Sequence, residues 1–112
     1  MDIKGIAHEY KDEILFIRFS KDELKIQDAE RIIEIAFDLE ESWDIEKVIL
    51  MMTGVTYTNS TVISAIGRLA DAKDLRIVDM HPKVVNIMET MGLLSFLELS
   101  PSLEEAVGSF EE

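Results

Sequence analysis

The sequence predicts an α/β domain whose mixed, mostly parallel sheet opens with an N-terminal hairpin and is flanked by helices, in the order β-β-α-β-α-β-α-β-α. Two short apolar segments begin the chain, and continuous apolar runs of strand length recur after them. The stretches between these runs carry apolar residues at helical spacing. Strands that alternate with helices pair in parallel through right-handed crossovers. A length of 112 residues suits a single domain, residues 1–112.

The hairpin and the first helix are predicted from a change of period. Segments 3–9 and 13–19 are rich in Ile, Leu and Phe, and residues 11–12 between them suit a tight turn. From Ile26 onward the apolar residues recur at helical spacing, which predicts a helix that ends near Ser42. The chain should therefore start with an antiparallel pair and then cross over the sheet.

Strand and helix alternate in the rest of the chain. Residues 47–52 are continuously apolar, as in a strand covered on both faces of a parallel sheet. Further strands are predicted at 75–79 and 96–99, a helix at 82–92, and a last helix that starts at 100–102. The clearest amphipathic helix follows the apolar run, and its inner face consists of Val62, Ala65, Ile66, Leu69 and Ala70.

The charge balance narrows the classes of partner. The chain has 23 acidic and 11 basic residues and a net charge of −12. Nucleic acids and anionic membrane surfaces favour clusters of Lys and Arg, so we expect neither as a partner. A basic protein surface is the best electrostatic match, although an acidic surface that only keeps the domain dispersed in water explains the same composition. The first residues include acids and lack the apolar core of a signal peptide, so we expect a cytoplasmic protein.

Catalytic and metal sites are not predicted. There is no cysteine, and the two histidines, His8 and His81, lie far apart in sequence, so surface or capping roles suit them better than metal binding. The sequence has no Walker-type nucleotide motif and no Ser-His-Asp set with suitable spacing. Asp79, at the end of a predicted strand, suits a turn or a capping role. We therefore expect no enzyme activity, no metal and no cofactor.

A hydroxyl-rich turn follows the strand at 47–52. Residues 56–62 read Thr-Tyr-Thr-Asn-Ser-Thr-Val and lead into the amphipathic helix, at the end of the strand where functional loops gather in such sheets. Thr58, Asn59 or Ser60 should cap this helix through a side-chain oxygen, and capping is one explanation for the whole group. A second is that one hydroxyl accepts a phosphoryl group, because the free N–H groups and the dipole of a helix N-terminus favour negative charge.

Residues 47–62 resemble the signature of the STAS family, the sulfate transporter and anti-sigma factor antagonist domains. The family pattern is an apolar strand, a Gly-Val or similar turn, an aromatic residue, and Asp-Ser-Ser/Thr-Gly at the start of a helix. Asn59 and Val62 stand here where Asp and Gly are usual. The likeness covers roughly residues 45–107, and it continues at 72–73, 75–83, 91–94 and 102–106.

The resemblance implies a regulatory module without catalysis of its own. Bacterial members bind an anti-sigma factor that is also a serine kinase, and they thereby free the sigma factor. The kinase phosphorylates a hydroxyl at the start of the helix after the third predicted strand, which breaks the complex, and a phosphatase restores it. By position the acceptor is Thr61, with Ser60 before it.

The implied surface for the anti-sigma factor is this turn together with the exposed face of the following helix.

Two alternative functions stay open. One is an unphosphorylated STAS scaffold subunit of a stress-signalling assembly, and the other is an enzyme or small-ligand site at the strand ends. Ile35 and Phe37 exceed the apolar stripe of the first helix, so a homodimer or partner contact through them also stays open. The expected partner contacts are Thr58, Asn59, Ser60, Thr61, Ser64, Gly67 and Arg68.

Overall fold

The computed structural model describes residues 2–3 and 5–110, and it has the predicted class of fold. Within these residues one six-stranded sheet forms, in which the strands lie in sequence order. The first three strands pair antiparallel, and the third to the sixth pair in parallel. The strands are β1 (Asp2–Ile3), β2 (Ile6–Lys11), β3 (Ile14–Phe19), β4 (Lys47–Met51), β5 (Asp74–Val78) and β6 (Leu99–Ser100).

Helices cover both faces of this sheet, but unequally. In the described part of the chain they are α1 (Ile26–Ile33), α2 (Ser60–Ala72), α3 (Pro82–Thr90) and α4 (Leu103–Ser109). The first three make the crossovers between successive parallel strands, and their apolar faces share the larger core. The fourth packs on the opposite face, where its Ala106 joins Ile49 and Val78 in a smaller core. None of the described helices is long and apolar enough to span a membrane.

Strand β4 leads into the hydroxyl-rich turn, and it is buried on both faces, as predicted. Val48 and Leu50 belong to the larger core together with Ile63 and Ile66 of α2, whereas Ile49 belongs to the smaller core under α4. All five side chains are inaccessible to solvent. The end of β4 and the start of α2 are therefore supported by a closely packed interior.

The opening hairpin differs from the prediction in two details. The predicted strand 3–9 is divided, because Gly5 adopts φ +85° between β1 and β2. The turn between β2 and β3 is Asp12–Glu13, one residue later than predicted, and both residues have positive φ (53° and 68°). A two-residue turn of this kind matches the right-handed twist of the paired strands. Because of the additional β1, the strand predicted as the third is the fourth.

The first helix also departs from the prediction. It ends at Ile33, and the chain continues as a π-helical turn (Glu34–Asp38) and a 3-10 turn (Glu40–Ser42). Leu39 N–H donates to the carbonyl oxygen of Glu34 (3.1 Å), the spacing of a π-helix. Ile35 lies in this wide turn and is fully buried, so it cannot provide the partner contact that the sequence left open.

Phe37 is partly buried and is covered by cationic side chains. The Arg68 guanidinium of α2 lies 5.1 Å from the centre of its ring, and Lys73 Nζ lies 5.6 Å from it. These contacts are cation–π interactions within the molecule. The face formed by Ile35 and Phe37 is therefore used inside the fold, and it leaves no exposed apolar pair for a dimer contact.

The last strand starts later than predicted. Phe96, which was expected in a strand at 96–99, lies in a 3-10 turn (Leu94–Phe96), and β6 begins at Leu99. Gly92, with φ +73°, lies just beyond the end of α3, before this turn. A short apolar run does not by itself distinguish a strand from a helical turn, which is why the sequence placed the strand too early.

Replacing Gly67 and Gly54 by Ala should have opposite effects on stability. Gly67 lies within α2, where a Cβ would be 3.9 Å from Leu93 Cδ1, an ordinary contact. Alanine favours a helix over glycine by about 0.5–1 kcal/mol, so Gly67→Ala should raise the free energy of unfolding by about that amount. Gly54 has φ +85°, where a Cβ is strained, so Gly54→Ala should lower it by about 1 kcal/mol. Urea denaturation measures both changes in the free energy of unfolding. Changes of the same sign would contradict the assignment of Gly67 to an unstrained helix and of Gly54 to a turn that requires positive φ.

Candidate functional site

The hydroxyl-rich turn lies at the carboxyl end of β4, where two loops meet. Thr53 Oγ1 donates a hydrogen bond to Asp79 Oδ2 (2.9 Å), which joins the turn after β4 to the turn after β5. Asp79 has φ 57° and occupies the turn position that the sequence predicted. Val55 is fully buried and anchors the turn in the larger core. The chain between β4 and α2 is thus held both by its neighbouring loop and by the core.

A contact that the sequence did not indicate holds the middle of the turn. The backbone N–H groups of Thr56 and Tyr57 donate to the carbonyl oxygen of Asp22 (2.8 and 3.1 Å). The N–H group of Leu24 donates in return to the carbonyl oxygen of Tyr57 (3.0 Å). Segment 22–24 has no side-chain motif, and backbone pairing of this kind leaves no signal in a residue pattern. It nevertheless forms one wall of the site.

Asn59 is the N-cap of α2, one of the three candidates for that role. Its Oδ1 accepts a hydrogen bond from the N–H of Val62 (3.0 Å), and its Nδ2 donates to the carbonyl oxygen of Leu24 (3.4 Å). The amide thus caps the helix and also joins it to segment 22–24. A carboxylate could cap the helix but could not donate to Leu24. This explains why Asn suits a position where the STAS signature usually has Asp.

Ser60 and Thr61 form the first turn of α2, and both are exposed. Val62 is fully buried, so its branched side chain points into the core and does not cover the two hydroxyls. The first N–H groups of a helix have no partner within the helix, and the helix dipole adds partial positive charge there. The two hydroxyls are therefore accessible, and they lie where added negative charge is favourable.

Thr58 was expected to contact a partner, and this expectation is wrong for its side chain. Thr58 directly precedes the cap, and only 4% of the residue is exposed. Its side chain therefore lies beneath the surface. Its Oγ1 is buried and has no hydrogen-bond partner among the described residues. A buried hydroxyl without a partner costs free energy, so Thr58 contributes shape to the turn rather than a polar contact.

The other expected contacts on α2 share one accessible side of the helix. Ser60, Ser64 and Arg68 recur at intervals of four residues, which places them in a row, and all three are exposed. Thr61 lies beside the start of this row. Gly67 is partly buried at its edge. The fold therefore brings these five residues together on one surface.

Charged side chains lie at both ends of this surface. Asp22 and Glu23 are exposed on the segment that adjoins the turn, and the exposed Lys25 follows them. Arg68 lies two helical turns away, with its guanidinium above the Phe37 ring, and the exposed Asp71 follows it on α2. Each end of the surface therefore carries both signs of charge.

The remaining candidates have structural roles or form no cluster. His81 caps α3, and its Nδ1 accepts a hydrogen bond from the N–H of Lys83 (3.1 Å), as expected for a capping histidine. In the described ranges, His, Asp and Glu side chains form no group of three or more that could hold a metal ion.

Removing the Asn59 cap should destabilise the protein more than removing the neighbouring hydroxyl. Asn59→Ala deletes the bond to the Val62 N–H and the link to Leu24, so the free energy of unfolding should fall by about 1–2 kcal/mol. Ser60→Ala is the matched control, and it should change this free energy by less than about 0.5 kcal/mol because Ser60 is exposed. Equal losses in urea denaturation would show that Asn59 is not the cap.

Thr58→Val should leave the stability unchanged or raise it. Valine has nearly the same shape and removes a buried hydroxyl that has no partner among the described residues. An unsatisfied group of this kind costs about 1–3 kcal/mol. The Tm of the variant, measured by circular dichroism, should equal or exceed that of the wild type. A clear fall in Tm would mean that the hydroxyl has a partner such as an ordered water.

Comparison with known proteins identifies the family of this chain. The sequence profile of the STAS domain matches residues 6–106. No curated protein sequence matches the chain significantly. Solved structures match it along most of its length at low sequence identity, and likeness at such identities shows the fold alone.

Three proteins illustrate this structural likeness. A candidate anti-sigma factor antagonist from Thermotoga maritima matches with a TM-score of 0.84 and 17% identity, over 97% of both chains. The Bacillus cell fate determinant SpoIIAA in its phosphorylated form matches with a TM-score of 0.63 and 15% identity, over 94% of this chain and 98% of that chain. A sulfate transporter family protein from Wolinella succinogenes has a TM-score of 0.68 and 13% identity, over 92% and 88% respectively. With a profile match over nearly its whole length, the chain belongs to the STAS domain family.

Proposed function

We propose that this protein is an anti-sigma factor antagonist that binds an anti-sigma factor of the serine kinase type and is released from it by phosphorylation. The observation that carries the proposal is the pair of exposed hydroxyls of Ser60 and Thr61, held at the start of α2 by the Asn59 cap. SpoIIAA is described as an anti-sigma factor antagonist and has a phosphorylated form, which supports the assignment of this function to the same fold. The protein itself would have no catalytic role.

The proposed contact surface joins the turn to the outer side of α2. Ser60, Ser64 and Arg68 form its row of exposed side chains, with Thr61 at one end. Tyr57 is 62% exposed in the turn, and tyrosine is a residue type enriched at protein interfaces. A standard interface buries about 800 Å² on each partner, and one helix face with an adjoining turn supplies a large part of this area.

Thr61 is the proposed acceptor, as the resemblance of the turn to the STAS signature implies, and Ser60, which is also exposed, is the second candidate. The kinase would transfer the γ-phosphoryl group of ATP to Thr61 Oγ1, releasing ADP and taking up the hydroxyl proton. The phosphate adds about 1.5–2 negative charges. Since the hydroxyl is exposed beside the free N–H groups of a helix, the fold can accept this charge.

A partner packed against the same turn could not accept the phosphate charge as easily as this domain does. It would have to desolvate the phosphate or move away, and each 1.4 kcal/mol of lost binding free energy lowers affinity tenfold. Phosphorylation would therefore separate the two proteins while leaving this domain folded. A phosphatase that removes the group would restore binding, and a cytoplasmic location belongs to the same proposal.

Phosphopeptide mass spectrometry tests the acceptor. We expect one phosphate on Thr61 after incubation with ATP and an anti-sigma factor kinase encoded in the same genome, because Thr61 is exposed at the start of α2. Thr61→Ala should abolish the modification, and Ser60→Ala, the matched control, should retain it. Phosphate on Ser60 alone would reassign the acceptor. Binding of the kinase without any phosphorylation would support the alternative of an unphosphorylated scaffold subunit.

Calorimetric titration with the same kinase tests the switch. Thr61→Asp should raise the Kd at least about tenfold, because the added charge mimics part of the phosphate. Thr61→Ala should bind within about threefold of the wild type, since it removes a small exposed group. If Thr61→Asp binds as tightly as Thr61→Ala, the turn is not the switch.

A further inference from the structure

A groove separates α2 from the segment that follows α3. Its volume is about 490 Å³. The wall on α2 is lined by three small residues, Ser64, Gly67 and Ala70, and by the acidic Asp71, and Met91 and Phe96 line the other wall. An added Cβ at Gly67 would be 3.9 Å from Leu93 Cδ1, an ordinary contact distance, so Leu93 lies across the groove from the helix there.

Phe96 stands at the rim of this groove and is the most exposed large apolar residue in the described part of the chain. It is 73% exposed, and Met91 beside the groove is 40% exposed. Most of the Phe96 ring thus projects into water, next to an opening lined by small and apolar residues. Two exposed apolar side chains that border one groove make this face a candidate interaction surface.

The surface around the groove is poor in charge, unlike the rest of the molecule. Residues 90–97 contain no charged residue, in a chain whose net charge is −12. Glu98, the next residue, is paired with Arg76 (2.9 Å between Glu98 Oε2 and Arg76 Nε). Asp71 is the one ionisable side chain among the described residues that line the groove. Two copies of so acidic a chain repel each other least where they meet at such a surface.

We propose that the groove binds a second copy of this chain, in a two-fold symmetric dimer in which Phe96 of each copy enters the groove of the other. In a two-fold contact the same patch must serve as both projection and receptor. Here the exposed ring of Phe96 and the groove lined by Gly67 lie side by side on one face. A groove of about 490 Å³ is large enough for a phenyl ring. This inference does not rest on the proposed function.

The dimer is weak and has a consequence for α2. One helix face and one short segment are a small contact for a specific interface, so we expect a dissociation constant on the order of micromolar. Ser64 and Gly67 line the groove and also belong to the surface proposed for the anti-sigma factor. The dimer therefore covers part of α2, and self-association competes with any partner that binds there.

Sedimentation equilibrium tests the dimer over protein concentrations of about 5–500 µM, a range that brackets a micromolar dissociation constant. The weight-average mass of the wild type should rise from 12.8 kDa toward twice that value as concentration increases. Phe96→Ser should weaken the dimer at least about tenfold, since buried aromatic anchors dominate small interfaces. Gly67→Leu should weaken it similarly by filling the groove.

Trp43→Ser is the matched control, because Trp43 is a comparably exposed aromatic residue (64%) that lies outside the groove. It should dimerise like the wild type, and all variants should keep the wild-type circular dichroism spectrum. A wild-type mass that stays at the monomer value over the whole range would overturn the proposal. So would a dimer that Phe96→Ser leaves intact, or one that Phe96→Ser and Trp43→Ser weaken equally.

Discussion

Burial of β4 on both faces is the constraint on which the functional end of this molecule depends. Val48 and Leu50 pack in the core under α2, Ile49 packs under α4, and none of the three is accessible to water. A strand buried in this way cannot shift its register by one residue without exchanging its two buried faces. The turn that follows must therefore start at one place, beside the turn after β5, and the hydrogen bond from Thr53 to Asp79 forms there.

The cap of α2 reconciles the two explanations of the hydroxyl-rich turn. Asn59 alone caps the helix and reaches the 22–24 segment with the other end of its amide. Because one residue does both, Ser60 and Thr61 are not needed for capping and stay exposed. A turn that is hydrogen-bonded to segment 22–24 and to the turn after β5 thus presents two exposed hydroxyls at the start of α2.

Helix α2 has three surfaces of different polarity, and the polarity of each matches what it contacts. The inner face is in the core, the N-terminal part of the outer face is polar, and the part near Gly67 borders a groove that is poor in charge. Arg68 lies between the outer surfaces and is held above Phe37 of the π-helical turn. One helix therefore presents a polar surface and a surface that is poor in charge, and exposed charges on the first are the ones that salt screens.

The sequence by itself determined the alternation of helices and parallel strands after the opening hairpin, the buried strand β4, the inner face of α2 and the group of residues that contains its cap. These are local properties, readable from apolar periodicity and from the hydrogen-bonding capacity of single side chains. Only the tertiary structure decided that Thr58 is buried while Thr61 is exposed, that segment 22–24 forms a wall of the site, and that Phe96 projects beside a groove. Those features depend on which distant segment packs against each residue. Neighbouring hydroxyls with the same local chemistry are distinguished only by that packing.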